Sequence, residues 1–322
     1  MIQRRCLMAA AGLMALPRIA LAQTKWPDRP VRLLVPYAAG GPTDAVARIL
    51  AERMSGNLPE RVVVENRAGG GALPGTEAVA RAPKDGSVLL FTTVVHAVHR
   101  ALHGSRLTFD PQGDFTPVAL IGVVPQVIMV TPSSPVTDIK GLIAYLRAGQ
   151  YSYGSSGVGG SSHLGIELLK SMTGVAAEHI PYRGTAPAVA DLLGGRIAVV
   201  MDSVATGSGQ VKSGALRGIA TTGLQRSLAL PDLPTVAETL PGYEATTWNA
   251  VLAPAGTPDD MIQAMSRAIW AAVENDTVKA KLEELGVQIP APEDRNPAAA
   301  GRFIAAETTK WERLIKEANI VP

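Results

Sequence analysis

Cysteine is almost missing from this chain, and its single occurrence, Cys6, falls among the first residues. Once a leader ending at residue 22 is removed no thiol remains, which excludes a disulfide framework and any cysteine-bound metal. Stability has to come from packing. Aromatic residues make up only 4% of the chain, and no basic run is interleaved with them. Nucleic acid is therefore not an expected partner. Beyond residue 22 no apolar run is long enough to cross a bilayer. No Gly-Lys-Ser/Thr phosphate loop occurs, and Gly157-Val158-Gly159 lacks the third glycine of a dinucleotide fingerprint because Ser162 stands in its place. No cofactor and no metal are expected.

What is present begins with a leader. Arg4 and Arg5 precede a mostly apolar run from Cys6 to Leu16, and Ala20-Leu21-Ala22 has the small-x-small pattern that signal peptidase cuts. Residues 1–22 read as a secretory signal peptide, with a mature chain starting at Gln23 and working in the periplasm. The arginine pair leaves general and twin-arginine export both open. The leader holds three of the 30 Lys+Arg residues (Arg4, Arg5, Arg18) and no acid, so the mature chain keeps 27 against 28 Asp+Glu, a net charge of −1.

Short apolar runs alternate with helical patterns. Val31 to Val35, Val62 to Val64, Val88 to Phe91, Val127 to Val130, Ile197 to Met201 and Leu216 to Ala220 read as buried strands, and their nearly continuous apolar character suits sheets covered on both faces. Helices are expected from Thr43 to about Ser55, Ser162 to Met172 and Ala186 to Leu193. The class is α/β. After Trp248 to Ala253 the chain turns helical to its end, with Thr257 expected to cap a helix that has Pro258 at its first position. Two uninterrupted strand-like stretches, Val123 to Val130 and Thr247 to Ala253, are the expected crossings between two lobes. Residues 23–126 and 247–322 would form lobe 1, and residues 127–246 lobe 2.

Two segments carry the chemistry. In Tyr37-Ala38-Ala39-Gly40-Gly41-Pro42-Thr43-Asp44 a strand feeds a glycine-rich loop and then a helix, which leaves unpaired backbone N–H groups at a positive dipole end. Ser155-Ser156-Gly157-Val158-Gly159-Gly160-Ser161-Ser162-His163 repeats that physics, with hydroxyls added. Two such loops facing each other would grip a carboxylate, although each could also be a plain turn, with Thr43 or Asp44 as a cap. His96, His99 and His103 share one face if helical, but no acid supports them as a metal site. His96, just past a strand, is a candidate ligand-facing residue. Arg67, Arg183 and Asp202 also follow strands, where α/β proteins hold ligands; Arg67 is expected to order the turn after it. A secreted α/β hydrolase acting through Ser162 and His163 is the alternative, although Val158 breaks the Gly-x-Ser-x-Gly elbow.

These segments, with Val63-Val64-Glu65-Asn66-Arg67, Pro83-Lys84-Asp85-Gly86, Pro181-Tyr182-Arg183-Gly184, Asp191-Leu192-Leu193-Gly194-Gly195 and Leu230-Pro231-Asp232-Leu233-Pro234-Thr235-Val236-Ala237-Glu238, resemble the Bordetella-uptake (Bug) type solute receptors of tripartite tricarboxylate transporters along the whole mature chain. The resemblance implies a non-enzymatic, monomeric periplasmic binding protein of type II-like fold, with two mixed sheets sandwiched by helices, two crossover strands and a helical C-terminal tail. It implies a small organic carboxylate as ligand and the integral membrane subunits of a transporter as partner, with a sensory histidine kinase as the alternative partner. Carried over by position, the ligand would meet Tyr37, Ala39, Gly40, Gly41, Thr43 and Asp44, then Ser155, Ser156, Gly157, Ser161, Ser162 and His163, with Thr185, Ala186 and Asp202 nearby. Ala38-Ala39 replaces the family's usual prolines, Ala72-Leu73-Pro74-Gly75 its Gly-Asn-Ile-Gly, and Val158 a frequent polar residue. These departures favour a ligand with an apolar body.

Overall fold

The computed structural model describes residues 26–322; the expected signal peptide and Gln23 lie outside the described residues. The first sheet contains β1 (Val31–Val35), β2 (Val62–Asn66), β3 (Val88–Thr92), β4 (Phe115–Val124) and β10 (Thr247–Pro254), in the order β2-β1-β3-β10-β4. The second contains β5 (Gln126–Val130), β6 (Ser152–Ser155), β7 (Glu178–Pro181), β8 (Val199–Ser203) and β9 (Arg217–Thr221), in the order β7-β6-β8-β5-β9. Each sheet has a parallel trio and one antiparallel strand, β10 or β5, next to the edge strand. The topologies are the same. In both cases the antiparallel strand belongs to the stretch where the chain passes between the sheets.

The helices are α1 (Pro42–Asn57), α2 (Leu73–Ala80), α3 (Val95–His103), α4 (Ile139–Ala148), α5 (Ser161–Thr173), α6 (Thr185–Leu193), α7 (Val204–Lys212), α8 (Val236–Thr239), α9 (Asp259–Val273), α10 (Asp276–Glu284) and α11 (Pro297–Glu317). No described helix is long and apolar enough to cross a membrane. β1, β3, β5 and β8 are buried along almost their whole length, as their apolar runs require for sheets covered on both faces. The tail packs back on the first sheet: α9 against α1, and α11 against α3 and β4.

Three expectations need adjustment. Val123 to Val130 is not one strand, because Pro125 has no N–H to donate and the ladder breaks there, separating β4 from β5. Strand β8 begins at Val199, two residues after the apolar run starts. Thr257 does not cap α9: its hydroxyl donates to the Pro254 carbonyl, and Pro258 holds the cap position with extended backbone.

Candidate functional site

The first loop leaves β1 at Val35 and enters α1 at Pro42. Proline fits this first helical position because that N–H has no intrahelical acceptor in any case. Gly40 turns the chain at φ 84°, a left-handed conformation that other residues rarely hold, and the ladder of α1 begins with Ala45 N–H donating to Gly41 O at 2.9 Å. The amides of Thr43 and Asp44 are left at the positive end of the dipole.

Asp44 is not a cap of this helix. It is 2% exposed, and its carboxylate accepts from Gly40 N at 2.8 Å, Arg48 Nε at 2.8 Å and Asn66 Nδ2 at 2.8 Å. Asn66 Nδ2 also donates to Tyr37 O at 3.1 Å, so strand β2 and helix α1 together fix the loop. Desolvation pushes the Asp44 carboxyl up, but the bonds from Arg48, Gly40 and Asn66 outweigh it and hold it below the usual carboxylate range. The Arg67 N–H donates to Val35 O at 2.9 Å, extending the β1–β2 ladder by one bond past Asn66. Tyr37, within the loop, is bonded through its hydroxyl to Thr93 Oγ1 at 2.6 Å, and desolvation pushes its phenol up to about 12.

The second loop holds the equivalent position, between β6 and α5. Ser162 Oγ accepts from Ser156 N at 3.0 Å and lies 3.0 Å from Ser156 Oγ. Ser155 Oγ accepts from Gly157 N at 3.1 Å and meets His179 Nε2 at 2.6 Å. His163 Nδ1 accepts from Gly159 N at 3.1 Å, so its proton sits on Nε2, 4.0 Å from Glu167. His163 and His179 stack at 3.8 Å. Burial, with His179 and Lys170 adding to it, pushes His163 down to about 3; burial likewise takes His179 to about 4, against the pull of Glu167. Both rings are neutral at any physiological pH. Gly159 has φ 75°, and a side chain there would run into Leu102 of α3, so this loop lies directly on the first lobe.

The two loops share one cleft of about 1110 Å³ at the C-terminal ends of both parallel trios. The starts of α1, α3, α5, α6 and α7 all line it, through Thr43, Val95, Ser161, Thr185 and Ala205. Tyr37, Ala39, Gly40, Gly41, Ser156, Gly157, Ser162 and Asp202 line it as well. Asp202 is 7% exposed; burial raises its pKa although Thr206 Oγ1 at 2.7 Å and its neighbour's amide, Ser203 N, at 2.8 Å bond it. Among the lining residues Arg183 is the one cation.

Five expected site residues stand elsewhere. Asp44, Ser155 and His163 lie behind the loops, with their acceptor atoms used on loop amides. Ala186 is exposed, one residue beyond the lining at the start of α6. His96 points away: helix α3 turns it to a separate cavity of about 320 Å³ against α11, with Nε2 on the Pro111 carbonyl at 2.8 Å. Burial and then His99 push it down to about 3. His99 gives its own Nε2 to Gly71 O at 2.8 Å, and no cluster of metal-ligating side chains occurs among the described residues. Gln126, Thr247 and Asn249 line the cleft and were not singled out from the sequence, although a polar residue inside an apolar run such as Val124-Pro125-Gln126-Val127-Ile128 was a readable signal. Ser162 and His163 do not bond each other, so nothing activates that hydroxyl as a nucleophile.

Two sheets of one topology, flanked by helices and opening on a shared cleft, define a two-lobed α/β solute-binding protein. The chain belongs to the tripartite tricarboxylate transporter receptor family, which residues 46–320 match. BugT of Bordetella pertussis is 35% identical over 315 residues, covering 96% of this chain and 94% of BugT. The structure of the periplasmic binding protein BugD matches with a TM-score of 0.81 at 35% identity, covering 92% of this chain and 100% of that one. R. palustris Rpa4515, solved with adipate, matches with a TM-score of 0.82 at 36% identity, covering 92% and 99%. The family consists of receptors and not enzymes, which removes the hydrolase alternative.

Proposed function

We propose that this receptor works in the periplasm, after removal of residues 1–22, as a monomer that captures a small organic carboxylate between lobes 23–126 with 247–322 and 127–246. The closed form is then presented to the integral membrane subunits of a tripartite transporter. One observation carries the reading: helix N-termini from both lobes converge on a cleft whose lining holds a single cation. Oriented amides and dipoles attract an anion without the desolvation cost of a buried lysine or arginine. Gly40, Gly41 and Thr43 face the carboxylate from one side, and Ser156, Gly157, Ser161 and Ser162 from the other. Asp44 and His163 act by holding those loops. Rpa4515 was solved with adipate, a dicarboxylate with an apolar body. The two alanines of the first loop, Ala38 and Ala39, line the cleft and suit a ligand of partly apolar character.

Mass spectrometry of the acid that copurifies with the periplasmic protein, followed by calorimetry with a panel of organic acids and of matched amines, tests this. Acids bind and amines do not; preference for amines would sink the reading. Intact mass of secreted material should begin at Gln23, and retention of residues 1–22 on functional protein would overturn the processing site.

A further inference from the structure

Both chain crossings reach the cleft, and within β5 and β10 successive side chains point to opposite faces. Val124 and Gln126 on the first crossing, Thr247 and Asn249 on the second, line the cleft. Val127 and Trp248 turn into the cores instead. Gln126 is 2% exposed and Asn249 3% exposed. The backbone of Gln126 is fully engaged with Thr222, donating to Oγ1 at 2.8 Å and accepting from its N–H at 3.0 Å. Its side chain is not: Nε2 is buried with no hydrogen-bond partner. Native proteins rarely leave a buried donor in that state, because desolvation is uncompensated until an acceptor arrives. A half-turn of the carboxamide exchanges Nε2 and Oε1 within the same volume, so the group can offer either atom to the cleft.

The charge beside these amides limits what they can bind. In the ladder between β5 and β8, Gln126 pairs with Ser203 and Val127 with Asp202, so an acid without a cationic partner adjoins the floor. The cleft's cation, Arg183, lies on the turn between β7 and α6 and not on a crossing strand. A carboxylate is favoured at the helix starts, but a second one on the floor would meet Asp202 and only neutral donors.

Building on the carboxylate reading above, we propose that Gln126 and Asn249 determine specificity by binding a second, uncharged polar group of the ligand, a hydroxyl or carbonyl. The receptor then selects a hydroxy or oxo acid over both its unsubstituted parent and the corresponding dicarboxylate. A carboxamide suits this task because it donates and accepts at once.

Three acids of one chain length test it by calorimetry on the mature receptor: hexanoate, 6-hydroxyhexanoate and adipate. The hydroxy acid should bind tightest, about tenfold above hexanoate, the scale of one buried hydrogen bond. Gln126→Met, which keeps the volume, should erase most of that advantage and bring the hydroxy acid down to the level of hexanoate. Gln126→Glu, which keeps the shape, retains an acceptor for the hydroxyl and should disfavour adipate further. Equal weakening of all three acids would mark Gln126 as merely structural and overturn the assignment. Adipate binding tightest, with Gln126→Met leaving the ranking unchanged, overturns it too, while the carboxylate reading stands. Failure of all three acids to bind wild type would overturn that reading and the assignment together.

Discussion

The two loops of the cleft occupy the same topological position, each between the second strand of its sheet's order and the helix that follows, yet they are held by different chemistry. The first is pinned by a buried carboxylate: Asp44 collects Gly40 N, Arg48 and Asn66. The second is pinned by neutral acceptors, Ser162 on Ser156 N, Ser155 on Gly157 N and His163 on Gly159 N. A carboxylate in the second loop would sit beside Glu167, whose charge Lys170 and the Tyr153 hydroxyl already satisfy. Keeping the second clamp neutral lets both loops turn their amides to the same anion without adding a further carboxylate beside Glu167. Charge-assisted bonds are roughly twice as strong as neutral ones, so the first loop should be the stiffer.

The most direct way to break the symmetry of the two loops is to block one of them. A Cβ at Gly41 would meet only the Ala38 carbonyl, at 3.7 Å, and the residue has an ordinary extended φ of −80°, so Gly41→Val should fold. It should nonetheless abolish ligand stabilisation, which for wild type at 100 times the dissociation constant is about 2.7 kcal/mol in a thermal-shift measurement. Full stabilisation in the variant would mean that the amides of the first loop do not touch the ligand.

Removing each clamp in turn should give unequal losses. Asp44→Asn sets an amide donor against one of three existing donors and should weaken binding by about 2 kcal/mol, whereas Ser162→Ala loses neutral bonds and should cost about 1 kcal/mol. Calorimetry on both variants decides, and equal losses would contradict the distinction between charged and neutral clamps.

A smaller effect is expected from pH. His96, His99, His163 and His179 are held at about 3 to 4, while an unfolded histidine titrates near 6.5. Below 6.5 the unfolded chain therefore binds more protons, and stability should fall with pH from 6.5 towards 4 and be flat just above 6.5, at about 1 kcal/mol per pH unit for each fully buried ring. Ligand affinity should stay level between pH 6.5 and 8, because no ring in the cleft walls changes charge there. His163→Gln keeps an acceptor for Gly159 N and should reduce the acid slope of chemical denaturation; an unchanged slope would show that the ring is not buried neutral.

Much of this architecture was legible in the chain. Runs such as Val31 to Val35 and Val88 to Phe91 carry their burial on their face, and both loops announce themselves through glycines and hydroxyls placed before a helix. Strand β7, Glu178–Pro181, was legible only as the strand that Arg183 follows, because a half-exposed edge strand of four residues has no apolar run to mark its bounds. The roles of Asp44, Ser155 and His163 were misread for a different reason. A polar residue beside a ligand loop can face the ligand or the loop, and only the geometry of β2, α5 and β7 behind it decides which. His96 turned the other way because one residue of helical phase separates the cleft from the back of α3.

Strand β10 has a consequence for how the chain is made. It lies between β3 and β4, yet it is built from residues after the entire second sheet. Until Pro254 has left the ribosome, the first 124 residues can assemble only the trio β2-β1-β3, with β4 unpaired beside it. The second sheet is complete once β9 has emerged, but the first is not, and a nascent chain stopped between β4 and β10 carries the open, apolar edge of β3 for a chaperone to hold.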